Sequence, residues 1–182
     1  MKTLPYLFKK PFKTLSLFLF FLPFLVSCNK EKLTKPTQTG ANTFSCKVNG
    51  QVYIPRNEAF SVDGISIYFT NDIGNPQANN LHVLTAYPQF NPPRKIYITL
   101  YNLTVEGVYP LKGTNFRFCQ YLTLSPNEKE YNTKSADDGQ VTITKFDLTN
   151  RIVSGTFWFN AINLKDPNDK VSITDGRFDL KF

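Results

Sequence analysis

The chain predicts an all-β domain, a single antiparallel β-sandwich or flattened β-barrel of about ten strands with meander-like connectivity. Three observations predict it. From Phe44 onward the sequence is a series of short runs rich in Val, Ile, Thr, Tyr and Phe, each closed by turn residues. No long stretch keeps the 3.6-residue period of an amphipathic helix. The loops are short, which favours pairing of consecutive strands.

The elements follow in order. "FSCKV" and "QVYIP" flank Asn49-Gly50, a pair suited to a two-residue hairpin turn because both positions need positive φ. Cys46 alternates with Phe44 and Val48 and so faces inward. "ISIYFT" precedes "NDIGNPQANN", which reads as a polar loop around Gly74 and Pro76. "LHVLTAYP" leads into "QFNPPR", whose adjacent prolines forbid ladder pairing. "KIYITLYN" alternates Ile96, Ile98 and Leu100 against Tyr97, Thr99 and Tyr101. "GVYPL" is a short strand limited by Pro110, "CQYLTLS" and "EYNT" are two more, and a helical turn is expected at 125–130 between those two. "GQVTITKFDL" changes phase near Lys145, as a bulge would make it. Asn150 is expected to take the left-handed conformation at the next turn. "RIVSGTFWFNA" sets Val153, Gly155, Phe157, Phe159 and Ala161 against Ile152, Ser154, Thr156, Trp158 and Asn160. Gly155 among large aromatics predicts a close approach or a bend. "KVSITDGRFDLKF" changes phase again at Asp175-Gly176, and the two slips together would curve the sheet.

The 182 residues divide into a leader (1–27), a polar segment (28–43) and the β domain (44–182). Lys2, Lys9, Lys10 and Lys13 precede the apolar run "LSLFLFFLPFLV", which is too short to span a bilayer and fits the core of a secretory signal peptide. "LVSC" then resembles the lipobox of bacterial lipoproteins. That resemblance implies cleavage before Cys28 and acylation of its thiol, and two or more acyl chains give stable anchoring where one does not. The segment "NKEKLTKPTQTGANT" holds no aromatic residue and is expected to be a flexible tether. Asn29, rather than Asp, follows the cysteine. Together with Lys30-Glu31, which resembles a short form of a Lys-acid export signal, it points to the outer membrane, at its periplasmic face or on the cell surface. The formal charge of +7 is largely a property of these first segments. Residues 44–182 carry 14 basic and 13 acidic groups, so the domain has no basic surface for nucleic acid.

The residues able to carry chemistry are few. Cys46 and Cys119 remain beyond the leader, and an oxidising compartment leaves one disulfide between them open, beside the alternative of two buried thiols. His82 is the single histidine. A general base or zinc ligand there would lack the partners such sites need, and an ordinary strand residue is expected. No G-x-S-x-G motif and no glycine-rich phosphate loop occurs. Glu106, Asp147, Asp175 and Asp179 are carboxylates that a hydrolase would need to place in pairs across a cleft. Asp137-Asp138-Gly139 and Asp166-Pro167-Asn168-Asp169 offer oxygen ligands for calcium but serve equally as turns. In "AYPQFNPPR", Tyr87, Phe90 and Arg94 are candidate ligand contacts for glycan or peptide, or else they tuck beneath the loop as an extension of the core.

"VTITKFDLTNRIVSGTFWFNA" followed by "VSITDGRFDLKF", with "FSCKVNGQVYIP" at the start of the domain, resembles a family of uncharacterised Bacteroidota lipoproteins of a domain-of-unknown-function class. The resemblance implies an exported, anchored, all-β domain and supplies no catalytic residues. The expectation is a non-enzymatic binding or envelope-accessory module for glycan, peptide or protein, needing no cofactor and no metal, with its oligomeric state left open. A lipocalin-like carrier with an internal cavity and a two-carboxylate hydrolase are the alternatives.

Overall fold

The structure is a computed structural model and describes residues 32–55, 64–72, 75–87, 93–111, 117–133 and 138–182. The leader, Cys28 and the lipobox lie outside the described residues, as does Phe90. Residues 31–182 form one compact unit.

Eleven strands build the unit, and no helix occurs among the described residues: β1 (Thr43–Val48), β2 (Gln51–Tyr53), β3 (Ile65–Asp72), β4 (Asn75–Tyr87), β5 (Arg94–Leu103), β6 (Gly107–Pro110), β7 (Arg117–Thr123), β8 (Lys129–Asn132), β9 (Gly139–Asp147), β10 (Ile152–Asn163) and β11 (Lys170–Lys181). They form one antiparallel sheet in the order β2-β1-β11-β10-β8-β7-β5-β4-β3, from which β9 and β6 branch. The meander holds for β3-β4-β5, β7-β8 and β9-β10-β11. The first strand, however, pairs with the last, Phe44 opposite Phe178.

β10 is the branch point. β11 follows one of its edges from Ile152 to Ile162. Its other edge pairs β9 over Ile152–Phe159 and β8 at Ile162 and Asn163. Two wings diverge there and enclose one core. On the far edge, Phe69 of β3 stacks on Phe182 at 4.1 Å and on Phe146 at 5.6 Å. Side chains thus close a gap that no ladder spans, and the result is sandwich-like, an open sheet folded on itself.

Local chemistry accounts for most of the elements. Asn49 and Gly50 have φ of 48° and 81°, the hairpin turn expected between β1 and β2. The β9 bulge falls where predicted: Ser154 faces Lys145 while Gly155 faces Ile143, leaving Thr144 extra. The β11 bulge includes Asp175, whose φ is 53°. Pro110 ends β6, which among the described residues pairs with β9 alone, so a missing amide there costs no second ladder.

Three expectations are corrected. Residues 71–80 are mostly strand rather than loop: Thr70 pairs with Asn80 and Asn71 with Asn79. Ladder bonds are backbone bonds, which asparagine can make as well as valine. Residues 125–127 form a turn joining β7 to β8, and no helix starts there. At the β9–β10 turn the positive φ belongs to Arg151, at 56°, because Asn150 is held by Asp147, which accepts from its backbone N–H and its Nδ2 (2.8 Å each).

Phe44, Tyr53, Phe157, Phe159 and Phe178 are all buried in the core, each contributing roughly 1.5–3 kcal/mol through apolar burial. Cys46 and Cys119 lie there as free thiols, so the bridge left open by the sequence is not formed. Each occupies its own ladder, Cys46 opposite Tyr53 and Cys119 opposite Ile98, and burial pushes both thiols up.

Candidate functional site

Of the buried polar side chains, three lie together on the outer face of neighbouring strands. Ser45, Ser154 and Asp179 are in the outward phase of β1, β10 and β11, yet all three are fully buried. What covers them is the segment expected to be a tether. Residues 34–41 run as a strap across the outer face of β1, β10 and β11.

Asp179 holds the strap. Its Oδ1 accepts from Ser154 Oγ (2.7 Å) and the Gly40 amide (2.8 Å). Its Oδ2 accepts from Thr37 Oγ1 (2.6 Å), the Thr39 amide (3.0 Å) and hydroxyl (3.3 Å), and the Ala41 amide (3.2 Å). Burial alone would raise this carboxyl. The hydrogen bonds from Thr37, Ser154, Thr39 and Gly40 outweigh it and hold the carboxyl far below the usual range. Further along, Thr34 hydrogen-bonds Ser45 Oγ through its amide (3.0 Å) and hydroxyl (2.8 Å), Arg177 Nη1 donates to Thr34 O (3.1 Å), and Gln38 Nε2 donates to Thr144 O (3.1 Å).

Beside the strap the outer face stays open. Thr142, Thr156 and Arg177 form one cross-strand row over β9, β10 and β11. Trp158, 40% exposed, stands in the next row opposite Gln140 and beside the β11 bulge. Two cavities of about 430 and 410 Å³ share Pro36, Thr156 and Arg177, so they form one groove. Trp158, Gln140, Thr142 and Asp175 line one end, and Lys35, Thr37 and Gln38 wall the other. Asp175 Oδ2 is paired with Lys47 at 2.9 Å, which draws its carboxyl below the usual range.

Of the residues singled out from the sequence, Asp175 and Asp179 are at this site and the other described ones lie elsewhere. Tyr87 pairs with Arg94 where β4 meets β5, away from this groove. The carbonyl of Arg94 accepts from Tyr53 Oη (3.4 Å), and its charge acts on the buried phenols of Tyr53 and Tyr121. Arg94 therefore borders the core. His82 is half-buried, 3.5 Å from Thr99 Oγ1 through Nδ1 and edge-on to Tyr101, and burial lowers its pKa. The other carboxylates are engaged separately: Glu106 accepts from the Phe146 amide (3.1 Å), and Asp147 caps Asn150. Asp169 accepts from Lys129, Tyr131 and Asn163, so its turn is held by its own hydrogen bonds. Among the described residues no three His, Cys, Asp or Glu side chains gather as a metal site would require.

Trp158, Thr156 and Arg177 were not recognised as a site from sequence. The available signals were a tryptophan on the polar face of an alternating strand and an arginine just past a bulge.

The architecture and this groove define an all-β protein with a strap-walled groove on one sheet face. The chain belongs to the family described as Domain of unknown function (DUF6252), which matches residues 77–179. That region contains Trp158, Thr156, Arg177 and Asp179, while the strap precedes it. No curated protein and no solved structure shows a significant match.

Proposed function

We propose that the chain is a lipoprotein anchored through Cys28 to the outer membrane of a Bacteroidota-like bacterium, and that its β domain is a non-enzymatic glycan-binding module. The observation that carries the binding reading is the half-exposed Trp158 at the head of a threonine-lined groove. An indole face packs against sugar C–H groups, and Gln140, Thr142 and Thr156 offer hydrogen bonds to hydroxyls. A peptide adding as a strand needs a free sheet edge, whereas this groove lies on a face. An internal carrier site has less support, since the rings of Phe44, Phe157 and Phe178 meet within the core.

Purified protein on a glycan array is expected to retain a restricted set of oligosaccharides. Trp158→Ala is expected to weaken the best of them at least about tenfold, the loss of one aromatic hot spot, with the far-ultraviolet spectrum unchanged. A silent array would remove the reading.

The anchor rests on the leader and "LVSC". Cells given radiolabelled palmitate are expected to label the wild type and not Cys28→Ala, and the variant is expected to leave the membrane fraction. Equal labelling of both would exclude Cys28 as the lipid site.

A further inference from the structure

We propose that the groove selects acidic glycans, sugars bearing a carboxylate or phosphate; this inference rests on the glycan-binding reading above. The charges around the groove do not cancel. Arg177 lines both of its halves, and Lys35 adds a second cation from the strap. Among the described residues, the strap-side half has no Asp or Glu in its lining. The acid at the other end, Asp175, is already paired with Lys47. Arg177, Lys35 and Lys47 stand against Asp175 and the buried Asp179, whose two oxygens are engaged by the strap and Ser154, so an excess of one positive charge remains at the groove.

The geometry suits a bound anion. Arg177 stands in the row of Thr142 and Thr156, so a charged group there meets a guanidinium and threonine hydroxyls together. One of its nitrogens, Nη1, is held by the Thr34 carbonyl at 3.1 Å, which limits the motion of the side chain. A guanidinium fixed in this way loses little entropy when it binds a carboxylate or phosphate. Trp158 lies at the other end of the same groove. The site therefore offers an aromatic platform for one sugar and a cationic end for the acidic group of a neighbouring one.

The test titrates the full chain in detergent with four probes and follows the emission of its one tryptophan, Trp158. The probes are a galacturonic-acid oligosaccharide, its methyl ester, a phosphorylated mannose oligosaccharide and inorganic phosphate. At least one acidic oligosaccharide is expected to bind about tenfold or more tighter than the neutral ester, as a charge-assisted hydrogen bond gives, and to weaken as salt rises. Which acidic oligosaccharide binds identifies carboxylate or phosphate as the preferred anion. Arg177→Gln is expected to reduce that preference about tenfold. Lys35→Gln, at an exposed position that leaves the Arg177–Thr34 bond in place, is expected to reduce it about threefold. Equal binding of acid and ester, or an unchanged preference in both variants, overturns the acidic specificity and leaves the glycan reading standing. Inorganic phosphate binding as tightly as the phosphorylated sugar overturns it in favour of a simple anion site. Binding of none of the four probes overturns it too, and the array result then decides the glycan reading separately.

Discussion

Asp179→Ala is expected to release the strap and lower stability by about 3–5 kcal/mol, because it strands several donors gathered around one buried charge. Ser154 Oγ, Thr37 Oγ1 and the amides of Thr39, Gly40 and Ala41 all donate to this carboxylate. Asp179→Asn keeps the volume but replaces one acceptor oxygen with a donor, so most of the loss is expected to persist. Amide hydrogen exchange gives the decisive measurement. Protection at Thr39, Gly40 and Ala41 should fall towards that of free chain, while the β10–β11 ladder stays protected. Unchanged protection at those three amides would show that the strap is held by something else. Since Lys35, Thr37 and Gln38 wall the groove, its strap-side half should be lost with the latch.

The same carboxylate sets a pH dependence. Its pKa in the fold lies below the ordinary 3.8, so its contribution is fully present above that value. It is lost as pH falls through 3.8 towards the depressed folded value. Wild-type stability should therefore decline on acidification below about pH 4. Asp147, Asp169 and Asp175 also have lowered pKa values and add to the decline, so the informative quantity is a difference. The profile of Asp179→Ala should be flatter than that of the wild type by the contribution of this one group. Parallel profiles would contradict the assignment.

Gly155→Ala is expected to cost about 2–4 kcal/mol through overpacking where neither neighbour can retreat. A Cβ at this position would lie 2.3 Å from the carbonyl oxygen of Thr142 and 2.8 Å from Phe178 Cζ. The carbonyl belongs to β9, the strand paired to β10 at this point, and the ring belongs to the packed core. Phe178 faces Gly155 across the ladder, and Phe157 faces Gly176 two positions on. Each ring thus covers a glycine on the neighbouring strand, and the two rings meet at 6.3 Å. Thermal unfolding should fall by roughly 5–15 °C for a domain of this size. A fall of less than about 2 °C would mean that β9 yields more easily than its pairing suggests.

The comparison of sequence with structure is clearest in β10. Its alternation assigned Val153, Phe157, Phe159 and Ala161 to the core, and all are buried. The close approach at Gly155 and the bulge before Lys145 were equally legible, because each is a local break in a period of two. Ser154 was the exception. Its phase and chemistry both placed it in water, yet it is buried. The reason is a carboxylate 25 residues later in the chain and a strap more than 110 residues earlier. The segment 29–43 has a composition that cannot order itself by apolar burial. Residues 37–41 are ordered instead mainly by hydrogen bonds to one charge, and Thr34 by Ser45 and Arg177, a route that hydropathy does not register. In sequence, Tyr87 and Phe90 stand out for the aromatics and prolines around them, whereas the groove is built from residues that look ordinary one at a time.

By itself the sequence determined the strand class, the Asn49-Gly50 hairpin, both bulges and most of the inward-facing residues, because each follows from side-chain period or turn chemistry within a few residues. Only the tertiary structure decided that the first strand pairs with the last, that β10 serves two wings, and that the polar N-terminal segment becomes a wall of the groove. Those outcomes depend on contacts between residues far apart in the chain. Many alternative strand pairings satisfy the same local periods, and the choice among them falls to whichever arrangement buries the core and satisfies Asp179 at once.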